Sequence, residues 1–500
     1  MTKPDVDVAI IGAGFGGLGA AIRLLQTGRE SFVVFERADE VGGTWRENTY
    51  PGCACDVPSH LYSFSFAPNP HWSRKFSPQP EILAYLKNCV EQYGLRPYIR
   101  YNTNIIRTEF LENQGVWQLT DRAGNVLTAR VVVVATGPLN RPSLPKLIGS
   151  DVFAGTMFHS SNWDHSIDFT GKRVAVVGTG ASAIQIVPEL AKTVSQLSVF
   201  QRTAPYLAPR MDRVVSPFWQ GIYRRFPVMQ KAHRELIYGI NELLGLSFLG
   251  NDTLNKFGTA QTRKHLEAAI SDPELRRKAT PGYKMGCKRV LVSDEYYPAL
   301  ARPNVELVTD QITRLSATGI ITSDGTERPI DVLIFSTGFV VADIICDLQI
   351  TGLNGRNLFG EWLKTGAEAY QGITAEGFPN LLFLLGPNTG LGHNSVVHMV
   401  ESQVAYLLDY LRLLDGAGEG ACLDVKPEAQ RAFSDSVQEK LKGTVWSSGC
   451  ASWYHNEAGR NTTIWPDLNS AYRKLTRRVK PEDYVVRQIR VGGYDFVSPD

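Results

Sequence analysis

The chain has 500 residues, 43% of them apolar and 20% charged, and its formal net charge is +2. That apolar content can fill two or three ordinary cores, which excludes a disordered or fibrous protein. A nearly neutral balance supplies no basic surface for nucleic acid, so the expected partner is a small molecule.

The N-terminal stretch MTKPDVDVAIIGAG enters a strand pattern at once. It leaves no room for a charged leader, an apolar core and a cleavage site, and the expectation is a cytoplasmic protein. Val6 to Ile11 form a continuous apolar strand that runs into Gly12-Ala13-Gly14-Phe15-Gly16-Gly17 and then into a helical pattern, LGAAIRLLQTG. Gly12 permits the tight turn, Gly14 lets a pyrophosphate approach the backbone, and Gly17 allows the helix to pack on the strand. A second strand, Ser31 to Phe35, ends at Glu36, whose carboxylate is placed to accept hydrogen bonds from ribose hydroxyls. Strand, glycines, helix, strand and acid in this order predict a dinucleotide site.

The segment GGTWRENTYPGCACD at 42–56 is rich in Gly, Pro and polar residues and is too long for a simple connection, so it is expected to fold over a ligand. Its Cys53 and Cys55 have no second pair at ligand spacing, and no metal site is expected. The seven cysteines, at 53, 55, 89, 287, 346, 422 and 450, are scattered and suit a reducing compartment better than a disulfide framework. A helix is expected around 80–93, followed by strands near Trp117–Thr120 and Val131–Ala135, the latter stopping at Ala135-Thr136-Gly137.

A second unit repeats the first: Val174 to Val177, Gly178-Thr179-Gly180-Ala181-Ser182-Ala183, a helix, and a strand from Leu197 to Phe200. Ala183 is a permitted variant of the third glycine. Where the first unit has Glu36 the second has Gln201, followed by Arg202 and Thr203. An amide beside a guanidinium and a hydroxyl accommodates a 2′-phosphate that a carboxylate would repel, so the first site reads as FAD and this one as NADPH. Between the two fingerprints lies FAGTMFHSSNWD at 153–164, read as a hinge.

Helical segments with interspersed Arg, Lys and aromatic residues occupy about 207–285, an inserted subdomain that can cover a substrate cavity. Within it, LIYGINELLGLSFLG at 236–250 contains Asn241 and Glu242 and falls short of the ~20 apolar residues of a membrane span, so it reads as a buried or site-lining helix. Nucleotide-fold strands are expected to resume near 290. Strands Val332–Phe335 and Leu381–Leu385 then end in glycine turns. GLGHNSVVHM at 390–399 and SWYHNEAGRNTTIWP at 452–466 read as active-site loops, with His393 and His398 more simply explained as structural histidines.

The pattern Phe153, Gly155, His159, Trp163, Asp164, set between two glycine fingerprints, resembles the signature of the type I Baeyer–Villiger monooxygenases. The resemblance covers nearly the whole chain. It implies an α/β fold of two Rossmann-like domains, for FAD and NADPH, with the helical insertion. The boundaries expected are 1–145 and 338–500 for the FAD domain, 146–206 and 287–337 for the NADPH domain, and 207–286 for the insertion. It implies further that Gly12, Gly14, Phe15, Gly17, Glu36, Thr44, Trp45, Asp56, Tyr62 and Val396 serve the flavin. Gly178, Gly180, Ala183, Arg202, Thr203 and Lys288 would serve NADPH, and Trp453 would lie near flavin and substrate. Arg289, in a Lys-Arg pair before Tyr296-Tyr297, matches the catalytic arginine, with Asp56 as its partner. This sequence departs from the family at Ala54, where many members carry Arg.

The activity implied is oxidation of a ketone to an ester or lactone by O2 and NADPH through a flavin peroxide. Two other readings use the same fingerprints: a flavin monooxygenase acting on sulfur or nitrogen, and a non-oxygenating NADPH–flavin reductase.

Overall fold

The computed structural model describes residues 3–341, 348–450, 452–490 and 493–496. The strand Val6–Ile11, apolar toward both faces, lies inside a sheet with the parallel strands Phe32–Phe35 and Val126–Val134 on either side. Ile11 is level with both Phe35 and Val134, so the glycine turn, Glu36 and the Ala135 turn emerge together at one edge. From one side the strands run Gln349–Thr351, Ile105–Leu111, Val116–Asp121, Val126–Val134, Val6–Ile11, Phe32–Phe35 and Ile99–Arg100. Leu381–Phe383 pairs in parallel with Val132 to Val134. The expected helix near 80–93 spans Gln79–Gln92.

The second sheet has five parallel strands in the order Val305–Val308, Gln196–Phe200, Arg173–Val177, Val332–Phe335 and Thr156–His159. The 153–164 stretch is therefore more than a connection, since its central residues form an edge strand. The sheet resumes at Val305, later than expected, because Leu291–Val292 pairs instead with Leu207–Ala208 and closes the base of the insertion.

The two chain crossings between the sheets lie against each other. The Ser143 amide donates to the Gly338 carbonyl at 2.9 Å, and the Val340 amide to the Arg141 carbonyl at 2.9 Å. Between the crossings, the insertion carries the helices Pro217–Arg225, Pro227–Gly245, Asp252–Ala269 and Pro273–Ala279.

Two sequence expectations are corrected. Leu236, Ile240, Leu243 and Leu244 of the 236–250 stretch are exposed, because the helix Pro227–Gly245 turns polar side chains inward. Cys287 and Cys450, 163 residues apart, form a disulfide with Cα atoms 6.2 Å apart, while Cys53, Cys55, Cys89 and Cys422 are buried free thiols. Linear spacing could not reveal that pair, because the segment after the insertion and the C-terminal part of the chain meet only in the fold. Cys346 lies outside the described residues. Among the described residues no helix is long and apolar enough to cross a membrane, and no cluster of three or more His, Cys, Asp or Glu could hold a metal ion.

Candidate active site

The first glycine turn is shaped by space that a side chain would fill. A Cβ at Gly12, where φ is +108°, would stand 2.6 Å from the Ala135 carbonyl oxygen, and one at Gly17 would stand 1.8 Å from the Gly12 carbonyl oxygen. Gly14 precedes the helix Phe15–Gln26, whose first turn has neither a side-chain cap nor an acidic residue. Its amide groups are therefore free to face an anion. The buried Thr136 hydroxyl, beside that turn, has no partner among the protein atoms. Uncapped amides, an orphaned hydroxyl and a side-chain-free turn fit a dinucleotide pyrophosphate.

Glu36 is 7% exposed and accepts hydrogen bonds from the Ala13 amide at 2.9 Å and the Ala38 amide at 3.0 Å. Its carboxylate thus also braces the turn. The Gly42 amide donates to the Ala13 carbonyl at 3.1 Å, bringing Gly43, Thr44 and Trp45 over the glycines. Trp45 Nε1 donates to the Tyr62 hydroxyl at 3.1 Å, and Phe15 meets the Tyr62 ring edge-on at 5.1 Å. Three of the expected flavin residues, Phe15, Trp45 and Tyr62, form one aromatic group. Val396 opens the long helix Val396–Gly416, so the last four residues of the expected 390–399 loop are helical.

The second turn repeats the first. A Cβ at Gly178, φ +111°, would stand 2.3 Å from the Ser336 carbonyl oxygen, whereas Gly180 faces open space. The helix Ala183–Leu190 again begins without a side-chain cap. The Thr179 hydroxyl donates to the Thr203 carbonyl at 3.2 Å. Lys288 loses proton affinity through burial and through repulsion from Arg202, so two cations converge near this turn. Gln201 is turned away, its amide donating to the Lys278 carbonyl at 2.7 Å.

Arg289 comes from the segment that follows the insertion and Asp56 from the end of the 42–56 loop. The guanidinium donates from Nε to Oδ2 at 3.1 Å, and from Nη2 to Oδ1 at 2.8 Å and Oδ2 at 2.7 Å. This side-on pair leaves Nη1 outside it. The Arg289 side chain remains 38% accessible. Attraction from Asp56, opposed by desolvation, raises its proton affinity above that of an ordinary arginine, so it stays charged.

Sequence reasoning missed several neighbours. Tyr454 is buried close to Arg289, and burial pushes its hydroxyl up to about 12. Trp453, expected at flavin and substrate, is 44% exposed and packs on Tyr454, with ring centroids 4.5 Å apart. Gln185 binds the 42–56 loop to the second unit, donating to the Ala54 carbonyl at 2.9 Å and accepting from Tyr50 at 3.2 Å. Arg210 donates to the Cys55 carbonyl at 3.1 Å, which brings a guanidinium from the insertion next to the position where Ala54 lacks one. Gln185 sits on the helix of the second fingerprint and Tyr454 in the expected 452–466 loop, so their neighbourhoods were indicated but their partners were not.

The residues of the 153–164 motif hold the architecture together. His159 Nε2 lies 3.0 Å from the Gly338 carbonyl at the second crossing, and Nδ1 lies 2.8 Å from the Ser161 hydroxyl. Trp163 is buried against Phe158 and Phe169, and Phe153 packs behind the second sheet. A Cβ at Gly155 would stand 2.5 Å from the Asp331 carbonyl oxygen. Asp164 closes a local turn by accepting from the Ser166 amide at 2.9 Å. His393 and His398 are both buried beside partners: His393 Nε2 lies 3.3 Å from Glu242 Oε1, and Arg234 Nη2 lies 3.3 Å from His398 Nε2.

Residues 5–351 match the family model described as "Flavin-binding monooxygenase-like". A Baeyer–Villiger monooxygenase of Streptomyces coelicolor is 48% identical over 482 residues, covering 96% of this chain and 92% of that protein. Another, from Pseudomonas aeruginosa, is 49% identical and covers 95% and 90%. Among solved structures, NADP+-bound cyclohexanone monooxygenase from Rhodococcus superposes with a TM-score of 0.86 at 28% identity, covering 97% of this chain and all of the other. NADP-bound steroid monooxygenase gives 0.85 at 30% identity, covering 96% and 99%. The near-complete coverage favours ketone oxidation over the sulfur, nitrogen and reductase readings. The chain belongs to the flavin-binding monooxygenase-like family as one of its Baeyer–Villiger monooxygenases, enzymes that contain FAD and depend on NADPH.

Proposed function

We propose that Arg289, held by Asp56, is the catalytic cation of this enzyme, which uses NADPH and O2 to convert ketones to esters or lactones. Bound FAD supplies the electron relay from NADPH to O2 and the oxygen that enters beside the carbonyl. Residues 1–145 with 338–500 would hold FAD, through Gly12, Gly14, Phe15, Gly17, Glu36, Thr44, Trp45, Tyr62 and Val396. Residues 146–206 with 287–337 would hold NADPH, through Gly178, Gly180, Ala183, Arg202, Thr203 and Lys288, and the insertion would be 207–286. Dependence on NADPH, a coenzyme regenerated inside cells, supports a cytoplasmic enzyme, and the Cys287–Cys450 disulfide argues the other way.

The observation that carries the reading is the side-on Asp56–Arg289 pair, made by residues 233 positions apart, with a guanidinium that is both restrained and accessible. Negative charge develops on the reacting oxygens as the carbonyl is attacked, and a fixed cation lowers that barrier without reorganising. Asp56 fixes the direction of the guanidinium and keeps it from turning toward the phosphates of NADPH. The Tyr454 hydroxyl, held protonated by burial, can donate but does not add a second anion.

Arg289→Ala is the test. Loss of one such donor costs on the order of 10²–10³ in rate. The variant should bind both cofactors and oxidise NADPH, releasing hydrogen peroxide and almost no ester. Ester formation near the wild-type rate, followed by chromatography beside flavin absorbance, would show that Arg289 serves only coenzyme binding.

A further inference from the structure

The helix Pro227–Gly245 is amphipathic in the inverted sense. Its inner stripe is polar. Gln230 donates to the Asn69 carbonyl at 2.7 Å, and Arg234 donates to the carbonyls of His60 at 2.8 Å, Leu61 at 3.1 Å and Ser63 at 2.8 Å. Glu242 accepts from Asn394 at 2.8 Å and from the Ser470 amide at 2.9 Å. These contacts recur at positions 230, 234 and 242 on one face. The apolar stripe faces outward: Val228 is 78% exposed, Leu236 62%, Ile240 48% and Leu243 66%. At 1.5 Å per residue the stripe from Val228 to Leu243 runs about 22 Å.

A surface helix ordinarily gains its stability by burying the apolar face. Here hydrogen bonds fasten the polar face, and the apolar face contributes nothing to the core. The preceding helix Pro217–Arg225 packs against it through Tyr223, whose hydroxyl lies 2.9 Å from His233 Nδ1. That helix adds Phe218, 70% exposed, and Trp219, 45% exposed, while Phe226 between the two helices is 55% exposed.

The exposed charge on this face is mainly positive. Between Pro217 and Gly245, Arg224, Arg225 and Lys231 are exposed against one exposed acid, Glu235, and Arg213 is exposed just before the first helix, on a chain whose net charge is only +2. A second copy docked by a two-fold axis would bring this cationic patch against itself. An apolar stripe flanked by Arg and Lys, with an exposed Trp, has instead the chemistry of a helix lying in the headgroup region of an anionic bilayer.

We propose that the Pro217–Gly245 face docks this enzyme on an anionic lipid surface, peripherally and without spanning it. Apolar ketones concentrate in membranes, so such docking would place the enzyme beside its substrate pool.

The test uses the FAD-loaded, NADP+-bound enzyme and sedimentation with large vesicles. One set is phosphatidylcholine alone and the other contains roughly one third phosphatidylglycerol. The enzyme should pellet with the anionic set, stay largely in solution with the neutral set, and be released by high salt. Arg224→Glu/Arg225→Glu and, separately, Val228→Ser/Leu236→Ser/Leu243→Ser should each weaken partitioning about tenfold or more. Both variants should keep wild-type turnover of a water-soluble ketone. If the serine variant does not fold, the charge-reversed variant still decides the matter. Absence of sedimentation, or equal partitioning of wild type and the charge-reversed variant, would overturn the proposal. So would a wild-type dimer in the ultracentrifuge that the charge-reversed or serine variant breaks into monomers, because the face would then belong to a second copy.

Discussion

Arg202 and Lys288 divide the coenzyme question between two side chains. Arg202 is exposed beside the second glycine turn, and Lys288 lies close enough to feel its charge. Both would relax on meeting a 2′-phosphate, since their mutual repulsion is then neutralised. Hydrogen bonds to charged groups contribute about 1.5–3 kcal/mol, so Arg202→Ala should cut the preference for NADPH over NADH by about ten- to a hundredfold. Steady-state KM values for both coenzymes check this, and equal losses with both would point to a general folding defect. At this scale the position of a residue was legible wherever it sat at a fixed offset from a glycine turn, as Glu36 and Arg202 do; their cofactor roles stay proposals. The sequence was opaque for Tyr454 and Gln185, whose roles exist only because distant loops meet.

The βα turn is the element on which the flavin domain depends, and Glu36 is joined to it twice, through the Ala13 and Ala38 amides. Glu36→Arg removes both acceptors, adds bulk at a position 7% exposed, and reverses the charge where the ribose is proposed to lie. The purified variant should be nearly colourless, and flavin content per protein, read by absorbance, checks this. A yellow variant with full flavin would mean that the adenosine half sits elsewhere. Both glycine turns were legible in full because their backbone geometry tolerates nothing else. The helix Pro227–Gly245 was misread because a run of apolar residues says how a helix is patterned and leaves open which face the body of the protein takes. Its inward polar stripe depends on carbonyls of residues 60–63, far away in sequence.

Across the whole molecule, the Cys287–Cys450 bond ties the residue before Lys288 to the start of the 452–466 loop that carries Tyr454. Cross-links that close long loops typically stabilise by about 2–4 kcal/mol. Cys287→Ser/Cys450→Ser should therefore melt at lower temperature than oxidised wild type, and a reductant should lower the wild type toward the variant. Identical melting curves for all three would show that the bond carries no stability. Two α/β units and an insertion were legible from the repeated fingerprints, but their interlocking was not.

That interlocking has a consequence for synthesis. The second sheet is assembled from strands between Thr156 and Phe335, a continuous run of chain. The first sheet leaves Val132 to Val134 without the partner Leu381–Phe383 until the ribosome has passed them. At about 5–20 residues per second that strand edge waits for tens of seconds while the middle of the protein folds. An open apolar strand edge invites pairing with a neighbouring nascent chain. Crowded, rapid expression should therefore trap this enzyme in aggregates through its earliest-made third, and a chaperone that shields that edge should raise the soluble yield.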